Sequence, residues 1–395
     1  MVEKNKTLHG LGFVVNVMTP YRLHLMKRIY QELPVSNLHI FLLRGKTDFS
    51  WEFNLPSNLL ITRLGREKDW VRQAPWKSFR RDWKNADIIS SQISSNNINA
   101  LIINGWDNIT ALRLIFGSCP KNVKIFIRGD SNSKNQSLLP RYLLKLKNIF
   151  LKSLLQRANA VLYMGRLGRE YFNALAVPDF KLFEVPYEPD YSFFQNVEEA
   201  KVARYRNEFN LDKEKRYFLY VGRLVPQKNI DLLLDAFIGV SEKAPSWDLI
   251  IVGSGPMEAQ LRNCIPTNLK NRVHWIGFLQ WKELRYMYHL SDVFVLPSKH
   301  EPWGVVVNEA MAAGLPVIAS DVVGAASELI EDMKSGIIFP VNNKKALISA
   351  LEKVADEQTF INMKAEVINS LANWRKRGDP VKGLRNALKE NGFQV

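Results

Sequence analysis

Runs of apolar residues four to eight long alternate along the chain with longer stretches of 3.6-residue periodicity, the pattern of parallel strands buried on both faces and joined by helices. Leu11–Met18 reads as the first such strand, and Tyr21–Leu33 as the helix that follows it after Thr19-Pro20. Further strands are predicted at Leu38–Leu43, Ala100–Ile103, Val123–Ile127 and Ala160–Met164. The alternation then breaks. Residues 183–194 hold Pro186 and Pro189 among aromatics, and charged helical sequence resumes near Val197. A boundary is therefore expected close to residue 195. Beyond it, strands are predicted at Tyr217–Val221, Leu249–Val252, around Val273–Gly277, Val293–Leu296 and Val317–Ile318, and two closing helices around Gly378-Asp379-Pro380. Strands alternating with helices twice over predict two parallel-sheet domains.

Ligands of open α/β sheets bind beyond the carboxyl ends of the strands, so the loops there carry the candidate chemistry. Val293–Leu296 stops at Pro297, a polar loop follows, and a helix is predicted from Val305 to Ala313, closed by Gly314 and Pro316. The amides around Gly304, Val305 and Val306, at the start of that helix, suit an anion. Glu301 lies in the loop and Glu309 inside the helix. Taken alone, these acids read first as a solvated loop residue and a solvated helix residue. After Tyr217–Val221, Gly222 permits a tight turn, and Arg223 and Lys228 supply a forked donor and a point charge of the kind a diphosphate takes. Gly253 and Gly255 resemble part of a dinucleotide fingerprint, but Glu258 stands where its third glycine belongs. In the first half, Thr19–Arg22, Asn104–Asn108 and Arg128–Ser131 begin where strands should finish; each reads equally as an ordinary polar connection.

Glu301-Pro302-Trp303-Gly304 leading to Glu309, with seven residues between the two acids, resembles the Glu-x7-Glu signature of retaining GT-B glycosyltransferases of family 4. The resemblance covers most of residues 215–340 and is much looser before residue 190. It implies an α/β fold of the GT-B type, two Rossmann-like parallel-sheet domains facing a central cleft. An acceptor-side domain would span 1–195 and a donor domain 196–370, with a helix in 371–395 crossing back to the first. It implies an enzyme that moves a sugar from a nucleotide-diphosphate donor with retention and without a metal, on a lipid-linked or polysaccharide acceptor in envelope glycan or glycolipid synthesis. Arg223 and Lys228 would hold the diphosphate, Glu301 the sugar hydroxyls, Glu309 the ribose, and Gly222, Gly277, Phe278, Gly304, Val305 and Val306 would line the nucleotide. Two departures limit the carry-over: Thr19-Pro20-Tyr21-Arg22 replaces a glycine-rich loop, and the strand-end turn where the family often places a His-Asp pair reads Arg128-Gly129-Asp130-Ser131, without a His. Tyr21, Arg22, Arg128 and Asp130 are therefore acceptor-side candidates only. The rival of another class is a non-catalytic protein that binds a nucleotide sugar, or nucleic acid through its basic half.

Charge sharpens the picture in one half. Of the net +15, residues 1–190 carry 28 Lys and Arg against 15 Asp and Glu. Such a field attracts nucleic acid, anionic lipid or an acidic substrate. No nucleic-acid module is legible. Residues 63–84 mix cations with Trp70, Trp76, Phe79 and Trp83, and Leu138–Gln156 sets Arg141, Lys145, Lys147 and Lys152 into an apolar helix. Both are candidate contacts with an anionic membrane surface, the alternative being that their apolar residues cover the sheet. No run of about eighteen apolar residues is present, and no cleavable signal is legible, so the expectation is a cytoplasmic protein, peripheral at most on the inner membrane face. Cys119, Cys264 and six His show no disulfide or metal-ligand spacing, so no metal or resident cofactor is expected.

Overall fold

The computed structural model describes residues 6–44, 51, 59–65, 75–134 and 140–395. Trp70, Leu138 and most of the 63–74 stretch lie outside the described residues, as does the side chain of Trp76.

Two fully parallel sheets carry the fold. The first has seven strands in the order Leu60–Arg63, Asn37–Leu42, Gly10–Val15, Ala100–Asn104, Lys124–Arg128, Ala160–Tyr163 and Leu182–Glu184. The second has six: Val273–Gly277, Trp247–Val252, Arg216–Val221, Val293–Leu296, Val317–Ser320 and Gly336–Phe339. Central strands such as Trp247–Val252 are buried along their whole length, as the apolar runs require when helices cover both faces. Leu60–Arg63 and Leu182–Glu184 were not legible in advance. Both are short edge strands, one of them partly exposed, with no run of apolar residues to mark them.

Three apolar clusters fill the layers. One spans both faces of the second sheet, where Phe218 stacks on Trp247 at 4.5 Å. The other two lie on opposite faces of the first sheet. One of these contains Val381, Leu384, Ala387, Leu388 and Phe393 from the end of the chain, packed with Leu25, Ile29 and Leu38. Helix Glu357–Arg377 belongs to the second sheet's cluster through Phe360, Met363, Leu371 and Trp374, so the crossing occurs at Gly378-Asp379. Asp379 caps the next helix, Pro380–Glu390, accepting from the amides of Val381 (2.8 Å) and Lys382 (3.0 Å), and also accepts from Arg28. Arg28 pairs with Glu188 of the linker as well, which ties the first sheet, the linker and the last helix together. A Cβ on Gly383 would lie 1.8 Å from the Glu184 carbonyl oxygen; only glycine lets this helix sit so close to the edge strand. Phe393–Gln394 then pairs in parallel with Lys6–Thr7.

The carboxyl ends of the two sheets face each other. Asn132, beyond the end of Lys124–Arg128, donates across the gap to the carbonyls of Val322 (2.9 Å), Glu301 (3.3 Å) and Pro302 (3.4 Å). Lys134 bonds Asp321 at 2.7 Å. Beside this contact, Glu328 accepts from the amide of Arg166, capping Gly165–Ala174, a helix of the opposite lobe rather than its own. Arg377 holds the second oxygen of that carboxylate at 3.1 Å.

Candidate active site

The second sheet builds the site from three successive turns. Arg216–Val221 ends at Gly222, whose amide bonds the Val252 carbonyl, while the Gly253 amide bonds the carbonyl of Gly277. A Cβ on Gly253 would stand 1.9 Å from the Gly222 oxygen, and one on Gly255 2.4 Å from the Leu224 oxygen. These glycines let the 222–224 turn lie against its neighbour; that packing accounts for the partial dinucleotide pattern. The chain then makes a short turn, Pro226–Lys228, and enters its helix through Asn229 in the left-handed region. The Asn229 side chain donates to the carbonyl of Pro297 at 3.1 Å. This bond fixes the Lys228 loop to the end of Val293–Leu296, the strand that delivers Glu301.

Lys228 and Glu301 form a half-buried ion pair, and Ser298 Oγ donates to the same carboxylate oxygen at 3.3 Å. The two residues assigned to different parts of one ligand are thus direct partners. Gly304 follows with φ +90°, and the helix Val305–Ala312 starts from it. A Cβ there would fall 3.0 Å from the Glu301 side chain, so Gly304 turns the backbone and leaves room for that acid. The helix is anchored by Asn308, which accepts from Trp303 Nε1 (3.1 Å) and donates to the Tyr191 hydroxyl (2.9 Å) in the linker. Its first amides, on Val305 and Val306, have no carbonyl one turn back to bond.

Glu309, one turn inside the helix, is buried and accepts a 2.8 Å hydrogen bond from the buried Tyr288 hydroxyl. Burial pushes its carboxyl up to about 7, against the partial opposing effect of the Tyr288 bond. A cavity of about 160 Å³ opens between the lobes, bounded by Gly222, Arg223, Val305, Val306 and Glu309 on one side and by Thr19, Pro20 and Tyr21 on the other. Its apolar end is made by Phe278, Leu279, Trp281 and Trp51, the last stacked obliquely on Phe278 at 5.5 Å. Glu309 and Tyr21 also line a second cavity of about 270 Å³ that continues towards the linker. Cation, open helix amides, carboxylate and flat apolar rings therefore line one cavity. Gly277, left-handed at φ +81°, sits beside Phe278 at the strand end with open space over its Cα.

The first-half candidates divide. Tyr21 reaches both cavities and packs on Tyr187 at 4.7 Å. Arg22 donates to the Val17 carbonyl (2.7 Å) and lies near the Tyr187 hydroxyl. Arg128 is buried, donates to the carbonyls of Val185 and Pro186 at 2.9 Å each, and stacks over Tyr187. Both arginines thus brace the linker. Asp130 is exposed beside them, close enough to act electrostatically on each. Asn132, Trp51, Trp281 and Tyr288 were not singled out from the sequence. Asn132 sits in a plain polar run, and Tyr288 looks like one more aromatic on a helix. Among the described residues, no group of three or more His, Cys, Asp or Glu could hold a metal ion.

Two Rossmann-like parallel sheets with this cleft at their carboxyl ends define a GT-B architecture, and solved structures of that kind overlay nearly the whole chain. Sucrose-phosphate synthase from Thermosynechococcus elongatus superposes with a TM-score of 0.74 over 96% of this chain and 97% of that one, at 19% identity. HepE of Anabaena in complex with UDP and glucose gives 0.69 over 95% and 97%, at 16% identity. These likenesses establish the fold. At the level of sequence, residues 201–377 match the family model of glycosyl transferases group 1. An uncharacterized glycosyltransferase of Methanocaldococcus jannaschii is 32% identical over 171 residues, 43% of each chain. The alpha-D-kanosaminyltransferase of Streptomyces kanamyceticus is 29% identical over 213 residues, 53% of this chain and 55% of that one. The lipopolysaccharide core mannosyltransferase LpsB of Rhizobium meliloti is 29% identical over 238 residues, 57% and 63%. The chain spans about half the length of the curated relatives it matches.

Proposed function

We propose that the chain is a retaining, metal-independent glycosyltransferase of family 4 that moves a sugar from a nucleotide-diphosphate donor to a lipid-linked or polysaccharide acceptor at the inner face of the cytoplasmic membrane. The observation that carries this reading is the cavity bounded by Arg223, the Val305 and Val306 amides and Glu309, next to the Lys228–Glu301 pair. A diphosphate in this place meets a cation and open amides, which stabilise the charge that grows as the bond from the anomeric carbon to the phosphate oxygen breaks. The ribose hydroxyls fall to Glu309 and the base to Phe278 and Gly277. Glu301 takes the sugar hydroxyls, and Lys228 exchanges it for phosphate. The acceptor oxygen enters on the face the phosphate leaves, and its proton passes to the departing phosphate, so no protein nucleophile is needed. Residues 1–195 would present the acceptor and the lobe that follows the donor, with the helix Pro380–Glu390 returning to the first lobe. The names of LpsB, a lipopolysaccharide core enzyme, and of HepE bound to UDP and glucose support the donor class and an envelope role.

A panel of nucleotide sugars, read by mass spectrometry with and without a chelator, tests this reading. Transfer or slow donor hydrolysis should persist with chelator and fall in Glu301→Ala and Lys228→Ala. Equal turnover in all three proteins, or nucleotide-sugar binding with no turnover on any acceptor, would overturn it.

A further inference from the structure

The helix Arg141–Gln156 packs on the first sheet only through Leu151, Leu154 and Leu155. Ahead of these, Tyr142, Leu146 and Ile149, spaced by four and three and so on one face, are 66%, 61% and 65% exposed. Leu143 and Phe150 flank them, also exposed. From Pro140 to Arg157 there are five cations, Arg141, Lys145, Lys147, Lys152 and Arg157, and no acid. Most helical stability in proteins comes from burying an apolar face. Among the described residues nothing covers this face.

The surface continues sideways. Phe150 stacks with Phe116 at 6.0 Å, and Arg157 lies over that ring. Beyond Phe116, the helix Pro75–Ser95 exposes Phe79, Trp83 and Ile88, with Arg80 and Lys84 among them and Arg113 over the Trp83 ring at 4.1 Å. The inner sides of all these elements (Ala86, Ile89 and Ile93; Leu114 and Ile115; Leu151, Leu154 and Leu155) join one apolar cluster under the same face of the sheet. Their outer sides therefore form one surface of aromatic and aliphatic groups set with cations, of which Arg113 is paired with the exposed Asp87 at 2.9 Å.

We propose that this surface seats the protein on an anionic lipid bilayer, the apolar side chains entering the headgroup boundary and the Lys and Arg heads resting among lipid phosphates. The composition selects that occupant. A second copy of the chain would bring like charges face to face, whereas acyl chains edged by anionic headgroups match both parts of the surface. Among the described residues no helix is long and apolar enough to cross a membrane, so the contact lies in the plane of the interface. The surface is also well placed. Asn132 touches the Glu301 loop across the cleft, and the helix starts nine residues later, which the chain can span within about 30 Å. A hydroxyl carried on a lipid headgroup would then approach the cleft from the side that holds Glu301. The proposal takes its acceptor from the reading above, but its physical basis is independent of catalysis.

Flotation of the full chain with phosphatidylcholine vesicles, and with vesicles enriched in phosphatidylglycerol, tests it. Binding is expected on the anionic vesicles, falling as salt rises, and little on neutral ones. Each cation near such a surface contributes roughly fivefold to partition, so Lys145→Glu with Lys147→Glu should weaken binding at least ~tenfold. Tyr142→Ser, Leu146→Ser and Ile149→Ser together should also abolish flotation. These side chains are outside the core, so the variants should keep the parent's circular dichroism, nucleoside-diphosphate affinity and turnover on a soluble acceptor. Variants that float like the parent, equal binding to both vesicle types, or a dimer that the serine variant dissociates would each overturn the proposal. Vesicle binding without any turnover would leave it standing and sink the catalytic reading instead.

Discussion

Glu309 gives the sharpest test, because burial and function make opposite demands on it. Its carboxyl titrates near 7 when folded, raised by burial, against 4.5 for the free group. The folded state therefore holds the proton more tightly, and stability falls as pH rises from the unfolded value through the folded one. The full loss above pH 7 is about 3 kcal/mol, from 2.5 pH units at 1.36 kcal/mol each. About 2 kcal/mol of it falls between pH 5.5 and 8.5 by the same linkage. Glu309→Gln keeps the shape and the Tyr288 bond but carries no charge to bury. Urea unfolding of parent and variant in parallel across that range should show the variant gaining on the parent by about 2 kcal/mol as pH rises. Nucleoside-diphosphate affinity should move the other way. A neutral amide in place of a carboxylate accepting ribose hydroxyls costs ~10- to 100-fold, and the parent should itself bind more weakly as pH drops below about 7. A stability difference that stays flat with pH, or a variant less stable at pH 8.5, would refute the assignment of a carboxyl whose proton affinity is raised by burial.

Lys228→Ala should lower affinity for a nucleoside diphosphate by ~10-fold or more, the worth of a charge-assisted hydrogen bond, and leave the monophosphate within about twofold, read by calorimetry. Asn132→Ala removes the donor to three carbonyls of the facing lobe; turnover should fall ~10-fold with nucleotide affinity little changed, and small-angle scattering should report a more open particle. Gly383→Val drives a side chain into the Glu184 carbonyl and should cost about 3 kcal/mol, the upper end for overpacking, seen as faster amide exchange in Asn37–Leu42 with the second sheet unaffected.

The core strands were legible because parallel sheets need unbroken apolar runs, and Leu249–Val252 or Val293–Leu296 can be little else. The short edge strands Leu60–Arg63 and Leu182–Glu184 and the helix boundaries gave no such signal. In the site, the turns after Val221 and Leu296 could be read from glycines, cations and acids at strand ends. Which partners those side chains hold within the chain could not be read this way. Lys228 grips Glu301, and Glu309 takes its hydrogen bond from Tyr288, because the fold brings distant residues together. Arg128 shows the reverse: a buried cation at a strand end whose Nη2 is held by two linker carbonyls, while its Nε has no partner among the described residues. Nor could spacing reveal that Glu328 would cap a helix belonging to the other lobe.

The return of the last helix sets an order on synthesis. When the strand Leu182–Glu184 leaves the ribosome, the face of its sheet that Val381, Leu384 and Leu388 will cover is still bare, and those residues follow about 200 positions later, roughly 10–40 s at ordinary translation rates. The sheet of residues 216–339 can be assembled within that interval. A nascent chain of this protein thus carries an unfilled apolar groove until its closing segment arrives, and in that window it depends most on chaperones.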